Sequence, residues 1–243
     1  YPRISNLDEF QPIKNIPGVR LQWVRSPAEL AALSPSDWII LPGSKHTSGD
    51  LAWLRSQGLD AAIARHAGQG GAVLGICGGL QMLGEALIDP HGLEHRYLGN
   101  VPGLGLLPLV TVFETDKTVQ RAQSTFASDM GAGLAASGPW AALAGLRVAG
   151  YEIHHGQTQQ HQGLAQSGEI AHAVMPGKLA WMNEAGNVLG LYLHGLFEDP
   201  AALQALFGAS FRGPVPTLDS VFEGLSNYID QHFEPGFLAA MIE

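Results

Sequence analysis

The sequence is poor in cysteine, in charge and in long apolar runs, and each shortage excludes a class of protein. The single cysteine cannot form an internal disulfide, which favours a reducing, cytoplasmic setting. The net charge is −9, and the 13 Lys and Arg residues do not cluster, so no nucleic-acid partner is expected. Apolar stretches end well short of the ~18 residues that a membrane-spanning helix needs, so no membrane partner is expected.

The sequence also lacks a phosphate-binding P-loop and a signal-like N-terminus. No GxxxxGK[ST] pattern occurs, and no cofactor is expected in this chain. The first residue is Tyr1 rather than Met, so we expect a piece of a longer protein. The 243 residues are enough for one large α/β domain, and we predict that residues 1–243 form a single domain.

The first half of the chain alternates short apolar runs with helical patterns. Strands are predicted at residues 19–24, 37–41 and 72–76, and helices at residues 27–33, 49–57, 59–66 and 80–87. Repeated βα units of this kind predict a parallel sheet with helices on both faces. Ligands bind beyond the carboxyl ends of such strands, where the 42–47 loop and Cys77 both lie.

The second half of the chain changes character and predicts an antiparallel extension. Strands are expected at residues 109–113, 117–126, 146–153, 179–182 and 188–193, and helices at 200–207 and 217–233. Residues 131–143 are ambiguous, with a loop and a short helix favoured. One apolar stripe of the last helix is predicted to be core: Leu218, Val221, Phe222, Leu225, Tyr228 and Ile229.

Cys77 lies between a short apolar run and a pair of glycines, in the stretch AVLGICGGLQ. A strand followed at once by a helix forces this residue onto a sharp turn, which the neighbouring glycines permit. The positive end of the helix dipole would stabilise a thiolate there, so the pattern predicts a nucleophile. The alternative is a small buried cysteine that packs as an apolar residue.

A cysteine nucleophile needs a base, and His194 is the candidate because it directly follows an apolar strand. A structural histidine is an equally good interpretation of this residue. Glu152 and Glu198 are the acids that could orient the imidazole or contact a partner. Leu196 stands at the second position after His194, so the third member of a triad is either absent or replaced by a carbonyl or water.

An acyl-transfer site also needs hydrogen-bond donors for an oxyanion. The backbone N–H of Gly78 is one candidate, and Gly43 or Ser44 in the loop LPGSKHT is the other, although this loop could be an ordinary βα turn. The polar stretch GYEIHHG at residues 150–156 favours contact with a ligand or partner. A metal site is not predicted there, because adjacent histidines on a strand point to opposite faces.

Taken together, these stretches resemble a known family. GICGGLQMLG resembles the nucleophile turn of the class I, triad-type glutamine amidotransferases. In chain order, the following stretches are similar to the C-terminal amidotransferase domain of the cobyric acid synthase family: PRISN (2–6), LPGSKHT (41–47), DLAWLR (50–55), GICGGLQMLG (75–84), GLGLLP (103–108), GYEIHHG (150–156) and YLHGLFED (192–199).

The resemblance implies a flavodoxin-like amidotransferase fold and a role for each site residue. Cys77 would attack the glutamine side-chain amide, with His194 as base and acid. The oxyanion hole would comprise Gly78 and Gly43, and the substrate-binding residues would be Gln81 and Ser44. A Cys thioester would be hydrolysed to glutamate, and the ammonia would pass to a synthetase site.

The resemblance implies a synthetase site in an N-terminal domain, which we expect to be absent from this chain. ATP and Mg²⁺ are expected there, with the corrin substrate adenosylcobyrinic acid a,c-diamide, which is amidated to cobyric acid in cobalamin biosynthesis. Three alternatives remain open. These are the small glutaminase subunit of a lipid II-amidating enzyme, a stand-alone cysteine hydrolase of the same fold, and a catalytically silent binding module.

Overall fold

The computed structural model describes residues 1–94, 99–130, 138–208 and 218–234. Its central sheet has five strands in the order β2-β4-β11-β10-β9. Three neighbouring strands run parallel: β2 (Trp38–Leu41), β4 (Ala72–Ile76) and β11 (Val188–Leu191). The antiparallel strands β10 (Ala180–Asn183) and β9 (Ala171–Ala173) extend the sheet. The α/β fold with an antiparallel extension is therefore confirmed.

The two faces of this sheet bury separate apolar cores. Leu74 and Ile76 of β4 pack in one core, whereas Val73 of the same strand packs in the other. This alternation follows from the period of two in a strand, and a strand covered on both faces must be apolar throughout. All five residues of β4 are buried. The turn that follows β4 therefore begins at the carboxyl edge of a strand that is covered on both faces.

Helices from different parts of the chain cover the two faces. On one side lie α3 (Thr47–Ser56), α4 (Leu59–Gly68) and α5 (Gly78–Leu83), with apolar residues in the second core. On the other side lie α1 (Gln11–Lys14) and α7 (Pro200–Phe207). The segment that leads into α1 is thereby held against the carboxyl ends of the parallel strands.

A second sheet has the order β6-β5-β7-β8. Its strands are β5 (Ala86–Ile88), β6 (Val101–Pro102), β7 (Leu109–Thr125) and β8 (Arg147–Gln160). The long β7-β8 pair is antiparallel and has an irregular register between Phe113 and Thr118, so one strand replaces the two predicted at 109–113 and 117–126. A two-stranded sheet joins β1 (Ile4–Ser5) to β3 (Gly43–Ser44).

Several predicted elements are wrong at particular boundaries. Residues 19–24 form no strand, because the chain there has no hydrogen-bonded strand partner in the described structure. The helix after Ser26, α2 (Pro27–Leu30), ends short of residue 33. The helix predicted at 80–87 starts earlier as α5 and ends at Leu83, and the next apolar residues enter β5 instead. Short apolar runs are equally compatible with both structures.

The last described helix, α8 (Leu218–His232), is correctly predicted as a helix but wrongly assigned to the core. Val221, Phe222, Leu225 and Tyr228 are 53–58% exposed, and Ile229 is half-buried. The side chain of Leu218, Thr217 and residues 131–137 of the ambiguous segment lie outside the described residues. The described part of the apolar stripe is therefore largely exposed rather than packed in either core. A short helix in the rest of that segment spans Ala141–Leu143, and α6 spans Gln162–Gln166.

Within the described ranges, no helix combines the length and the apolar character that crossing a bilayer requires.

Candidate active site

Cys77 occupies a strained turn between β4 and α5. Its backbone has φ 51° and ψ −105°, a positive φ that residues other than glycine seldom adopt. The turn is held because the Cys77 N–H donates to the Leu191 carbonyl at 2.7 Å. It also requires Gly79, since a Cβ there would lie 1.9 Å from the Leu41 carbonyl oxygen. The backbone thus turns the Cys77 side chain away from the direction of β4, at the point where β4 ends and α5 begins.

Cys77 is buried at the end of the strand. The residue is 6% exposed. Its Sγ lies 3.5 Å from the Ile153 carbonyl oxygen on β8.

His194 lies beyond the end of β11 and faces Cys77. Its backbone forms an isolated antiparallel bridge with Tyr151, with N–O distances of 2.9 and 3.2 Å. The Tyr151 ring stacks on the imidazole at a centroid distance of 5.1 Å and an interplanar angle of 19°. The imidazole is fully buried, and Cys77 lies close enough to it to raise its pKa. The fold thus brings together the two residues predicted as nucleophile and base.

A buried carboxylate from the start of the chain completes this arrangement. Glu9, which is 1% exposed, places Oε1 3.3 Å from Nδ1 of His194. Its Oε2 accepts a hydrogen bond from the Gly195 N–H at 3.2 Å. Cys77, His194 and Glu9 therefore form a continuous chain of side-chain contacts. Glu9 lies 185 positions before His194 and is not among the site residues predicted from the sequence.

The PRISN stretch explains how Glu9 reaches this position. Ser5 of β1 pairs with Gly43 of β3, which fixes the segment beside the 42–47 loop. Asn6 then adopts a left-handed conformation with φ 54°, and a short 3-10 helix over Leu7–Phe10 follows. The Asn6 side-chain nitrogen lies 3.1–3.2 Å from both imidazole nitrogens of His194.

These contacts set the protonation of the imidazole. Burial lowers the pKa of His194, but hydrogen bonds to Cys77 and Glu9, with the negative charges of both, outweigh burial and raise the pKa to about 10. The imidazolium is accordingly the favoured form at neutral pH. A positive ring between a thiol and a carboxylate is the arrangement that activates a cysteine nucleophile.

The predicted oxyanion donors approach one another at this turn. A Cβ on Gly78 would lie 2.8 Å from the backbone nitrogen of Ser44. A Cβ on Gly43 would lie 2.9 Å from Cε1 of His194. The Ser44 hydroxyl donates to Asp50 at 2.6 Å, which anchors the loop. Two glycine backbones and the imidazole therefore meet around Cys77 with no room for larger residues.

Gln81 lies one turn into α5, and its side-chain amide is engaged within the protein. Oε1 accepts a hydrogen bond from the Thr47 hydroxyl at 2.9 Å, and Nε2 donates to the Tyr192 hydroxyl at 3.4 Å. The residue is 3% exposed. This arrangement ties α5 to α3 and to the chain just after β11, directly behind the nucleophile turn.

Of the two acids predicted to orient His194, Glu152 contacts other residues instead. Its carboxylate accepts from Gln120 at 2.8 Å and lies 3.3 Å from Nε2 of His154. The prediction is wrong in this respect because alternate residues of β8 face opposite sides. Glu198 donates its backbone N–H to the Gly195 carbonyl at 2.9 Å, while the carboxylate that reaches the imidazole is that of Glu9.

Side chains of the GYEIHHG stretch therefore lie on both faces of β8. Tyr151 faces the imidazole, whereas Glu152 and His154 line a polar cavity of about 450 Å³ with Tyr192. His154 stacks on Tyr192 with ring centroids 3.8 Å apart. Among the described side chains, no group of three or more His, Cys, Asp or Glu residues is arranged to hold a metal ion.

Comparison with solved structures identifies the fold as that of the glutamine amidotransferases. A crystal structure of a glutamine amidotransferase covers 84% of the chain at a TM-score of 0.53 and 15% identity, with 95% of that structure matched. The structure of PurLQS from Thermotoga maritima covers 86% at a TM-score of 0.56 and 18% identity, with 95% of its chain matched. At these identities the likeness shows the fold alone.

The chain belongs to the CobB/CobQ-like glutamine amidotransferase domain family, whose family model matches residues 1–202. The chain is 69% identical over 242 residues to the cobyric acid synthase of Polaromonas naphthalenivorans, and the match spans 100% of this chain and 47% of that protein. Cobyric acid synthase from Albidiferax ferrireducens matches equally well, at 69% over 242 residues, 100% of this chain and 47% of that protein. The chain thus spans about half the length of the curated relatives it matches.

Proposed function

We propose that this chain hydrolyses glutamine at Cys77 and supplies ammonia to an amidating site elsewhere in a larger protein. The observation that carries the proposal is the contact between Cys77, on its strained turn, and His194, whose other side meets a buried carboxylate. Membership of the amidotransferase family supports glutamine as the substrate.

In the first half of the reaction, the Cys77 thiolate attacks the side-chain amide carbon of glutamine and forms a C–S bond. Gly78 and Gly43 would donate backbone hydrogen bonds to the oxyanion, because Gly78 directly follows Cys77 and Gly43 lies against the His194 ring. The His194 imidazolium gives its proton to the amide nitrogen as the C–N bond breaks. Ammonia leaves, and a thioester remains on Cys77.

In the second half, water adds to the thioester carbon. His194, now neutral, takes a proton from the water, the C–S bond breaks, and glutamate leaves. The thiolate–imidazolium pair is restored. Ser44, whose hydroxyl is oriented by Asp50, and Gln81 are the proposed substrate-binding residues. The Gln81 amide would have to exchange its contacts with Thr47 and Tyr192 to contact glutamine directly.

For the whole protein, we propose the activity of cobyric acid synthase. A cytoplasmic enzyme would amidate corrin side-chain carboxylates, converting adenosylcobyrinic acid a,c-diamide to cobyric acid. ATP and Mg²⁺ would act in a synthetase domain of the whole protein. The 69% identity to curated cobyric acid synthases supports this proposal. The isolated chain would then hydrolyse glutamine weakly, and vigorous ATP-dependent amidation by it would refute the assignment.

The position of Glu9 bears on the alternative of a stand-alone cysteine hydrolase. A stand-alone cysteine hydrolase usually needs a triad acid, and the carboxylate beside His194 supplies one. The 69% identity over the whole of this chain to a cobyric acid synthase remains the reason to favour the amidotransferase.

The test of the proposed function is glutaminase activity of the chain and of three variants. Glutamate release should disappear in Cys77→Ala and in His194→Gln. It should persist in His172→Gln, where the replaced histidine is exposed and pairs with Glu184. Full activity in Cys77→Ala would rule out catalysis through this thiol, and comparable loss in His172→Gln would show that the assay reports folding rather than chemistry.

A further inference from the structure

The apolar face of α8 is exposed over most of its length. Val221, Phe222, Leu225 and Tyr228 are 53–58% exposed, and their spacing of three or four residues places them on one face of the helix. Among the described residues, none of α8 belongs to either apolar core. A Cβ added to Gly224 would meet nothing within 4 Å. Contiguous apolar faces of this kind mark interaction sites on folded monomers.

The helix also needs a partner for its own stability. In water, an isolated helix of the length of α8, 15 residues, is marginal even when its sequence favours helix. Gly224 and the β-branched Val221 and Ile229 lower its helix propensity. His232 stacks on Tyr228 with ring centroids 4.0 Å apart, and its Nδ1 lies 2.8 Å from the Tyr228 carbonyl oxygen. These contacts are confined to the last turn, so packing of the apolar face has to stabilise the rest.

α8 lies outside the part of the chain that matches the amidotransferase domain but inside the match to larger proteins. The family model matches residues 1–202. The match to the cobyric acid synthase of Polaromonas naphthalenivorans runs over 242 residues and 100% of this chain, so it includes α8. This match covers only 47% of that protein, which is therefore about twice as long as the chain. A protein of that length has a further part that can cover α8.

We propose that the apolar face of α8 is an interdomain surface, which packs into an apolar groove on the part of the larger protein that lies outside this chain. An amphipathic helix that lays its apolar face into a groove is a recurrent mode of recognition, with anchors at i, i+3, i+4 and i+7. Val221, Leu225 and Tyr228 have this spacing. The inference goes beyond the proposed function, because it does not depend on the reaction that either part catalyses.

The charges on α8 disfavour the other occupants. The sequence of α8 contains no Lys or Arg, and the exposed Glu223 and Asp230 lie on the side of the helix away from the apolar face. A helix that binds an anionic membrane surface carries basic residues on its polar side. A second copy of the chain would bring together two molecules with a net charge of −9 each. A groove in the same polypeptide is held close to α8 by the connecting chain, which raises its effective concentration.

The experiment measures amide hydrogen exchange of α8 by mass spectrometry, in the 243-residue chain and in the whole larger protein. Wild type is compared with the double variant Phe222→Ala, Leu225→Ala. Ile170→Ala is the matched control, because Ile170 is a 48% exposed apolar side chain on a loop outside α8. Alanine has the highest helix propensity, so the double variant shortens the apolar face without disfavouring the helix. Circular dichroism melts show whether each variant folds.

We expect α8 to exchange at least about tenfold more slowly in the whole protein than in the chain, because packing prevents the helix from opening. In the double variant, exchange in the whole protein should return to within about threefold of the rate in the chain. Ile170→Ala should retain the full protection. If the double variant does not fold, Phe222→Ala and Leu225→Ala are measured singly, and each should lose part of the protection.

Three results would overturn the proposal. Equal exchange of α8 in the chain and in the whole protein would show that the rest of the protein does not cover it. Protection already present in the chain would mean that α8 packs on this chain, or on a second copy if the protection rises with protein concentration. Full protection in the folded double variant would show that the apolar face is not the contact. Exchange is measured without glutamine, so these results are independent of the proposed function.

Discussion

At the scale of single residues, the site depends on a positive ring buried between two acidic groups. Burial alone would favour neutral His194, yet contacts with Cys77 and Glu9 raise its pKa to about 10. The folded protein therefore holds a proton that an unfolded histidine, with its ordinary pKa of 6.5, has mostly released at neutral pH. The stability contributed by this charged ring is complete below the unfolded value and is lost as pH rises through about 10.

This charge state predicts the titration of His194 in the folded protein. Its ring nitrogens should titrate at about pH 10 in ¹⁵N NMR spectra. In Cys77→Ala the midpoint should move down, because one hydrogen bond and one negative charge are removed while the ring remains buried. A midpoint below neutral pH in wild type, or no downward movement in Cys77→Ala, would contradict the ion-pair arrangement.

The residues of the site differ in how far sequence could predict them. The Cys77 turn is a local signal, because an apolar run, a polar residue and a glycine pair together specify a strand, a bend and a helix. His194 was a weaker candidate, since a histidine after an apolar run has many causes. Glu9 could not be predicted, because nothing near it in sequence points to His194. The sheet pairing of Ser5 with Gly43 is what brings it there.

At the scale of elements, the nucleophile turn depends on how closely α5 approaches the sheet. Gly79 lies over β2, and a Cβ there would be 1.9 Å from a backbone carbonyl oxygen, which cannot move as a flexible side chain would. The element boundaries that were predicted correctly from the sequence are those marked by a local signal, such as a residue that caps a helix. Pro200–Phe207 follows Asp199, whose carboxylate caps the helix, whereas the apolar residues after Leu83 carried no local signal for strand or helix.

The close approach of α5 predicts contrasting effects of the same substitution on two helical glycines. Gly79→Ala should lower the free energy of unfolding by about 1–3 kcal/mol, since the backbones of α5 and β2 must separate. Gly68→Ala, at the end of α4 with nothing within 4 Å of its Cβ, should be neutral or stabilising, by up to about 1 kcal/mol. Urea unfolding measures both. Equal effects would contradict the packing of α5 against the sheet.

At the scale of the whole molecule, two cores account for the fold and α8 takes no part in either. The apolar stripe of α8 has helical periodicity, which is why sequence predicted it to be core. Periodicity indicates that a face is apolar but does not specify what packs against it. The exposed Phe222 and the fully buried Phe197 illustrate the difference between a patterned residue and a packed one.

That difference predicts opposite outcomes for two phenylalanine substitutions. Phe197→Ala should lower the free energy of unfolding by about 3–5 kcal/mol, because it empties space in the first core. Phe222→Ala, whose side chain is 58% exposed, should change it by less than about 0.5 kcal/mol. Urea unfolding of both variants against wild type is the measurement. A cost of several kcal/mol for Phe222→Ala would mean that α8 packs in the folded chain after all.

The central claim is that Cys77 is an activated nucleophile in a site that binds glutamine. Incubation of the chain with a glutamine-like electrophile such as a diazo-ketone analogue, followed by peptide mass spectrometry, tests it most directly. The account predicts stoichiometric labelling of Cys77 that free glutamine slows and that His194→Gln greatly reduces. An unlabelled Cys77 in folded protein, or labelling that glutamine does not slow, would contradict it.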